Sequence, residues 1–295
     1  MTRADGGLDP EVCDAYLLRL GLERETPSAE ALVRLHARHV ERIPYETMWI
    51  HSGDRWGVDA IASARRVSLE GRGGYCFHLN GAFGELLTTL GYSVTRHVGG
   101  VHGPDGPSVD ALTNHLVLTV AGLPTDTNPV GSWYVDVGLG DALHEAVPLE
   151  AGEFTQGPFL LSLEATHDGV GDWHLTHDPK GTFPGMSWRM SAATMTDFAN
   201  RNVVLSTSPE SGFVRISSAQ RRDATGVDIM RGLFLTRVGE GTAPSDALTG
   251  RDDWFGALAD IFDLTFDGVD SAVLDRLWSN VRTAHDAWLE AEAAQ

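Results

Sequence analysis

The spacing of apolar positions changes period along the chain, and those changes divide it. Val12, Tyr16 and Leu20 recur at four-residue steps behind Asp9-Pro10-Glu11. That triplet offers an N-cap, a proline suited to the first helical turn and an acid for the helix dipole. The spacing predicts a helix that stops at Gly21. Pro27-Ser28 opens a second, with Leu32, Leu35, His39, Val40 and Ile43 on one stripe and Pro44 ending it. Leu79, Ala82, Phe83, Leu86, Leu87 and Leu90 predict a third, amphipathic helix over 76–90, closed by Gly91.

From 92 to 190 the signal shortens to strands between turn residues. Residues 115–120 and 132–137 are the clearest, joined through Gly122, Pro124, Asn128 and Pro129. Several short strands in succession predict a small antiparallel barrel or sandwich. Further on, 212–217 and 232–238 read as strands, 239–250 as a loop-like insertion, and 251–262 and 270–292 as helices. The division that follows is a helical segment over 1–91, a β segment over 92–200 and a mixed α/β segment over 201–295.

Composition narrows the partners. The 295 residues carry a formal charge of −19, with Lys180 the only lysine. Nucleic acid needs a basic footprint, so it is excluded as a general partner. No run approaches the roughly 20 apolar residues that span a bilayer, and residues 1–10 lack a basic-then-apolar signal pattern. Two cysteines, Cys13 and Cys76, make no disulfide framework. A reducing, cytoplasmic setting is the expectation. His36 and His39 share a helix face without further ligands at metal-site spacing, so no metal is expected.

The chemistry concentrates at Arg72-Gly73-Gly74-Tyr75-Cys76-Phe77. Cys76 falls in the first turn of the third predicted helix, where free N–H groups and the positive end of the dipole favour negative charge. The glycines leave room for a substrate to approach the backbone. A thiol nucleophile needs a base, and the base needs a group that fixes its tautomer. His115 begins one predicted strand, and Asp136 lies on the polar side of the next, with Tyr134. Alternation places Trp133, Val135, Val137 and Leu139 on the other face. An acid in mid-strand must be solvated or paired, and His115 is the candidate partner.

With these motifs in hand, the chain resembles the arylamine N-acetyltransferases. The resemblance runs over roughly 11–238 and is carried by Tyr16-Leu17-Leu18-Arg19-Leu20-Gly21, Leu35-His36, Ile43-Pro44-Tyr45-Glu46, the Cys76 run, Asn114-His115-Leu116, 134–140 and 208–213. It implies an α+β fold with an N-terminal helical bundle, a central antiparallel β-barrel and a C-terminal α/β lid around a papain- or transglutaminase-like core. It implies Cys76 as acylated nucleophile, His115 as base and Asp136 as orienting carboxylate. It implies a buried ion-pair network of Arg19, Glu46 and Arg72, and a substrate pocket drawing on Tyr45, Leu139, Gly140 and Phe213. The activity implied is ping-pong transfer of an acetyl or other short acyl group from coenzyme A to an arylamine or arylhydrazine. No permanently bound cofactor is implied, and acetyl-CoA enters as co-substrate. On the alternative reading the chain is an amide synthase that takes a longer acyl thioester from an acyl carrier protein.

Three departures from the family pattern are expected to alter the pocket's shape and polarity. Leu139 stands where relatives commonly carry an aromatic, Tyr45-Glu46-Thr47-Met48 replaces Phe-Glu-Asn-Leu, and His78 replaces a usual glutamate. The same order of residues also serves thiol hydrolases and transglutaminase-like enzymes, and a binding module would keep the scaffold with an unreactive Cys76.

Overall fold

The structure, a computed structural model, describes residues 7–167, 169–241 and 246–293. Among the described residues, helices come first: α1 (Pro10–Leu20), α2 (Ala29–Arg42), α3 (Met48–Ser52), α4 (Ala60–Leu69) and α5 (Cys76–Leu90), with the short strand β1 (Tyr45–Glu46) after α2. The helix ends fall where the sequence punctuates them. Gly21 and Gly91 take left-handed conformations with φ of 68° and 101°, which a Cβ would strain. Ser28 caps α2 by accepting from the Ala31 N–H at 3.1 Å. Two of these five helices escaped the periodicity. The five residues of α3 are too few to show one, and the buried stripe of α4 is Ala60, Ser63, Ala64 and Val67, mostly small side chains.

The β segment comprises β2 (Ser93–Val101), β3 (His115–Ala121), β4 (Trp133–Val135), β5 (Val147–Pro148), β6 (Gly152–Gln156), β7 (Phe159–Ala165), β8 (Trp173–Thr176) and β9 (Gly185–Ala192). These strands make one antiparallel sheet in the order β5-β4-β3-β2-β9-β8-β7-β6. The expected barrel is therefore an eight-stranded curled half-barrel, with β5 and β6 at its two edges. Next come α6 (Ala199–Thr207), α7 (Gly212–Arg215), β10 (Ser218–Asp223), β11 (Gly226–Arg231), β12 (Phe234–Gly239) and β13 (Asp246–Ala247), then α8 (Arg251–Phe262) and α9 (Ser271–Ala293). The strands of this part pair in the order β1-β10-β11-β12-β13. Residues 212–217, expected as a strand, instead hold the helix α7, whose cap is Ser211 accepting from the Phe213 N–H at 3.3 Å. Four residues carry too little pattern to separate the two periods. The loop expected over 239–250 contains β13, and its residues 242–245 lie outside the described residues, as do residues 1–6 of the amino terminus.

The helix carrying Cys76 is the hub of the core. Twelve of its fifteen residues are buried, including His78, Asn80 and Gly84. It is thus enclosed on nearly every side, unlike the one-faced helix the apolar spacing predicts. It packs against α1, α4, β2 and β3. Strand β3 is buried on both faces, as a central strand should be. Leu116, Leu118 and Val120 join the helical core, and Val117 joins a second cluster across the sheet. A third cluster gathers α8 and α9 residues such as Trp254, Leu258 and Leu277 with Met48, Ala219 and Met230. The tryptophans Trp188 and Trp254 are fully buried core residues.

Candidate active site

Three segments converge beside a cavity of about 910 Å³. The loop before α5 is stitched to β1 by the Glu46 N–H, which donates to the Gly74 carbonyl at 2.9 Å. A Cβ on Gly73 would lie 2.0 Å from the Pro44 carbonyl oxygen, so only glycine lets the two segments run this close. Cys76 is delivered to the first turn of α5, where it lines the cavity while only 4 % exposed. Gly138 packs closely on Cys76. A Cβ there would meet the Cys76 Cα at 2.7 Å.

His115 starts β3 and Asp136 follows the end of β4. His115 donates from Nε2 to Asp136 Oδ2 at 2.7 Å, with both side chains buried. With Nε2 turned to Asp136, Nδ1 is the ring nitrogen left for Cys76, which lies close enough to favour the charged imidazole. The thiol also lies 3.6 Å from the Asn114 carbonyl oxygen. Burial opposes a charge on His115, but the Asp136 carboxylate and Cys76 outweigh it and hold the imidazole's pKa above its usual value.

Asp136 is bonded on every side. Oδ1 accepts from Asn80 Nδ2 at 2.7 Å and from the Gly138 N–H at 3.0 Å, and Oδ2 accepts from the Tyr134 hydroxyl at 3.2 Å as well as from His115. Asn80 also donates to the Leu116 carbonyl at 2.6 Å and accepts from the Val137 N–H at 2.9 Å. It thereby joins the cysteine helix to β3 and to the segment that follows β4. The sequence reading missed Asn80 as a site residue, although its position four after Cys76 puts both on one helix face. The backbone N–H of Asp136 donates to His36 Nε2 at 3.2 Å, and His36 Nδ1 donates to the His144 carbonyl at 2.9 Å. His36 is therefore a neutral hydrogen-bonding core residue. Among the described residues no group of three or more His, Cys, Asp or Glu is arranged to hold a metal.

Other expected residues separate. Arg72 pairs with Glu46 at 2.8 Å, with Glu46 fully buried. The joint network with Arg19 needs correction: Arg19 turns to the carbonyls of Val67, Arg72 and Gly71 and lies 3.8 Å from Asp263. It holds the glycine-rich loop through backbone acceptors while Arg72 serves the carboxylate. Tyr45, Leu139 and Phe213 line the cavity. Gly140 is not among its lining residues. It makes a left-handed turn (φ 76°) against Gln220, which does line it. Leu139 packs with Tyr134, on the opposite side of the sheet from Val135 and Val137, because the strand ends at Val135 and alternation ends with it.

Of the residues that depart from the family pattern, Tyr45 and Leu139 reach the cavity, and His78, Thr47 and Met48 do not. His78 is stacked on Tyr75 and packed edge-on against Trp49 and Trp56, behind the cysteine helix. Thr47 Oγ1 accepts from the Ser218 N–H at 2.9 Å, and Met48 belongs to the C-terminal core. Only Tyr45 and Leu139 alter the cavity wall. From the expected lid, α6, α7 and β10 form that wall. Helix α9 packs on α3 and α7, and α8 on β10.

A family model described as N-acetyltransferase matches residues 28–271. The chain belongs to the arylamine N-acetyltransferase family. It is accordingly an enzyme. Similar curated proteins include arylamine N-acetyltransferase 1 of Homo sapiens and the pineal gland isozyme NAT-3 of Gallus gallus. Each is 26% identical over 243 residues, covering 76% of this chain and 82% of the relative. Among solved structures, the Mycobacterium marinum arylamine N-acetyltransferase in complex with CoA superposes with a TM-score of 0.79 at 25% identity, covering 92% of this chain and 99% of that one. The Nocardia farcinica enzyme does so with a TM-score of 0.77 at 28% identity, covering 94% and 98%. No helix among the described residues is long and apolar enough to cross a membrane.

Proposed function

We propose that this chain transfers an acetyl or other short acyl group from coenzyme A to an arylamine or arylhydrazine through an acyl-Cys76 intermediate. The observation that carries the reading is the juxtaposition of Cys76 and His115 at the wall of one cavity, with His115 bonded to the buried Asp136 and Asp136 tied to α5 through Asn80. The family match supports the reaction class, and the CoA held by the Mycobacterium marinum relative supports the donor.

In the first half-reaction the Cys76 proton passes to His115 Nδ1 and Sγ attacks the thioester carbonyl. The carbon–sulfur bond to the coenzyme breaks, and the leaving thiolate takes the proton from His115. Asp136 keeps Nε2 protonated, so Nδ1 is the nitrogen that cycles. The Cys76 and Phe77 N–H groups at the start of α5 are the donors available to the developing oxyanion, since the His78 N–H already donates to the Tyr75 carbonyl at 2.8 Å. Such donors contribute about 3–4 kcal/mol each in comparable sites. In the second half the amine nitrogen attacks the acyl-Cys76 carbonyl, the carbon–Sγ bond breaks, and the amine proton returns to Sγ through His115. Thiol exchange is nearly neutral and amide formation is downhill, so the sequence runs toward product.

Incubating the protein with acetyl-CoA and mapping adducts by mass spectrometry tests the reading. One acetyl group on Cys76, absent from Cys76→Ala and discharged on adding aniline, is expected. An adduct that forms but is lost to water at the same rate with or without amine would make the chain a hydrolase instead. No adduct at all would reject the proposal.

A further inference from the structure

A second carboxylate–imidazole pair stands near the Cys76 cavity and takes no part in the chemistry above. Asp141 comes two residues after the cavity-lining Leu139, and His177 follows β8. Both side chains are buried, with His177 Nε2 3.6 Å from Asp141 Oδ1. Neither of those two atoms has a hydrogen-bond partner among the described residues. The other polar atoms of the pair are engaged. Asp141 Oδ2 accepts from the Thr182 N–H at 2.6 Å, and His177 Nδ1 lies 3.2 Å from the Asp178 carbonyl oxygen. Both ring nitrogens therefore face oxygen acceptors. A buried pair of this kind adds little net stability, since both groups give up water for one contact. What it can fix is geometry.

The segment whose geometry depends on it is the 178–184 loop. Pro179, Lys180, Thr182 and Pro184 are exposed, so apolar burial does little to hold them. The anchors are polar: Asp178 accepts from the Leu160 and Lys180 N–H groups at 2.9 Å each, and Asp141 accepts from Thr182. The loop lies directly on the His177 ring, because a Cβ on Gly181 would come within 2.3 Å of its Cε1. Phe183, half-buried, packs edge-on against that ring with centroids 4.7 Å apart. It also packs against the apolar cluster that holds Leu139 and Phe159. Thr182 and Phe183 both line the Cys76 cavity. On the other side, the Asp141 N–H donates to the Leu139 carbonyl at 2.9 Å. The pair thus ties the turn after Leu139 to the loop that carries an aromatic ring to the cavity wall.

We propose that Asp141 and His177 are positioning residues for the amine half-reaction. They hold Phe183 as the face on which the acceptor's aromatic ring rests while its nitrogen attacks acyl-Cys76. An aromatic acceptor gains from an offset or edge-on ring beside it, and a ring carried on an exposed loop offers that contact only when the loop is fixed. This rests on the acyl-transfer reading above, and its test separates the two.

The measurement is the rate at which aniline discharges acetyl-Cys76 divided by the rate for hydrazine, a nucleophile without a ring. Acylation by acetyl-CoA is followed alongside. In Asp141→Ala and in His177→Leu the aniline-to-hydrazine ratio is expected to fall by about three- to tenfold. The double variant is expected to lose no more than the worse single one, because either change frees the same loop. A ratio that stays at the wild-type value, or losses that multiply in the double variant, would overturn the proposal. So would equal losses in acylation and in both discharge rates, which a general loosening of the fold would give. Phe183→Leu changes a half-buried loop residue and keeps the test decisive if the buried variants fail to fold. It is expected to lower the ratio by the same factor, and an unchanged ratio there also overturns the proposal while leaving acyl transfer standing. A wild-type protein that forms no acetyl-Cys76 would reject acyl transfer itself, and the positioning role with it.

Discussion

The two walls of the Cys76 cavity are built on opposite principles. On the wall formed by α5, β3 and the end of β4, nearly every polar atom is bonded. Asp136 accepts from four donors, and Asn80 joins a helix to β3 and to the segment after β4. On the wall formed by α6, α7 and β10, the elements are short, and Arg201, Glu210 and Gln220 stand at the cavity without ion pairs among the described residues. The first wall is over-determined and holds a reacting geometry. The second leaves polar groups open, which is what recognition of a variable ligand requires. Chemistry and selectivity are thus separable in this fold by the number of bonds each wall has already made.

The contrast can be broken hardest at Asp136. Asp136→Asn keeps the volume but cannot hold His115 in the same tautomer. Cys76 acylation is expected to slow by about 10³–10⁴-fold, measured by single-turnover release of coenzyme A. A loss under tenfold would deny the bonded wall its role. Next is the ion pair beneath the cysteine loop. Glu46→Ala strands the Arg72 guanidinium, which is only 11 % exposed. Leaving a buried charge unmet costs about 3–5 kcal/mol, readable as a lowered urea midpoint.

A third test uses acid. Burial holds His36 down to about 4 and His78 down to about 3. In the unfolded chain both bind protons below about pH 6.5. The unfolded state therefore takes up more protons between pH 6.5 and 4, and stability falls as pH falls through that window. The slope is about 1.4 kcal/mol per pH unit for each histidine. His78→Phe, which keeps a ring among Trp49, Trp56 and Tyr75, should remove one histidine's share of that slope in urea titrations. An unchanged slope would show that His78 is protonated in the fold. The smallest effect is expected on the open wall. Tyr45 lines the cavity, and no hydrogen bond is made by its hydroxyl to a described residue. Tyr45→Phe should change the ranking of an amine panel by less than about tenfold and leave the urea midpoint within about 0.5 kcal/mol.

Legibility follows the same divide. Helix α5 was predicted over its full span, and Cys76, His115 and Asp136 could be named because each sits in a motif with local meaning: a glycine-flanked helix start, a strand start, an acid in an apolar strand. The helices α3 and α4 were invisible because one is five residues long and the other buries small side chains. Asn80 was passed over because an asparagine in a helix carries no signal until its partners are known. Arg19 was placed with Glu46 when the carbonyls of the loop were its true partners. Gly140 was taken for a pocket residue when its role is to turn the chain and let Gln220 stand there.

By itself, the order of residues determined where several helices start and stop, which side chains have the chemistry to act together, and that cationic contacts come almost wholly from arginine. Those are local properties: capping, backbone freedom and the functional groups a residue carries. Only the tertiary structure decided which of those groups touch, that the β segment stays an open half-barrel, and which side chains line the cavity. Pairing across more than a hundred positions depends on how helices and sheets pack, and no short stretch of sequence encodes that distance.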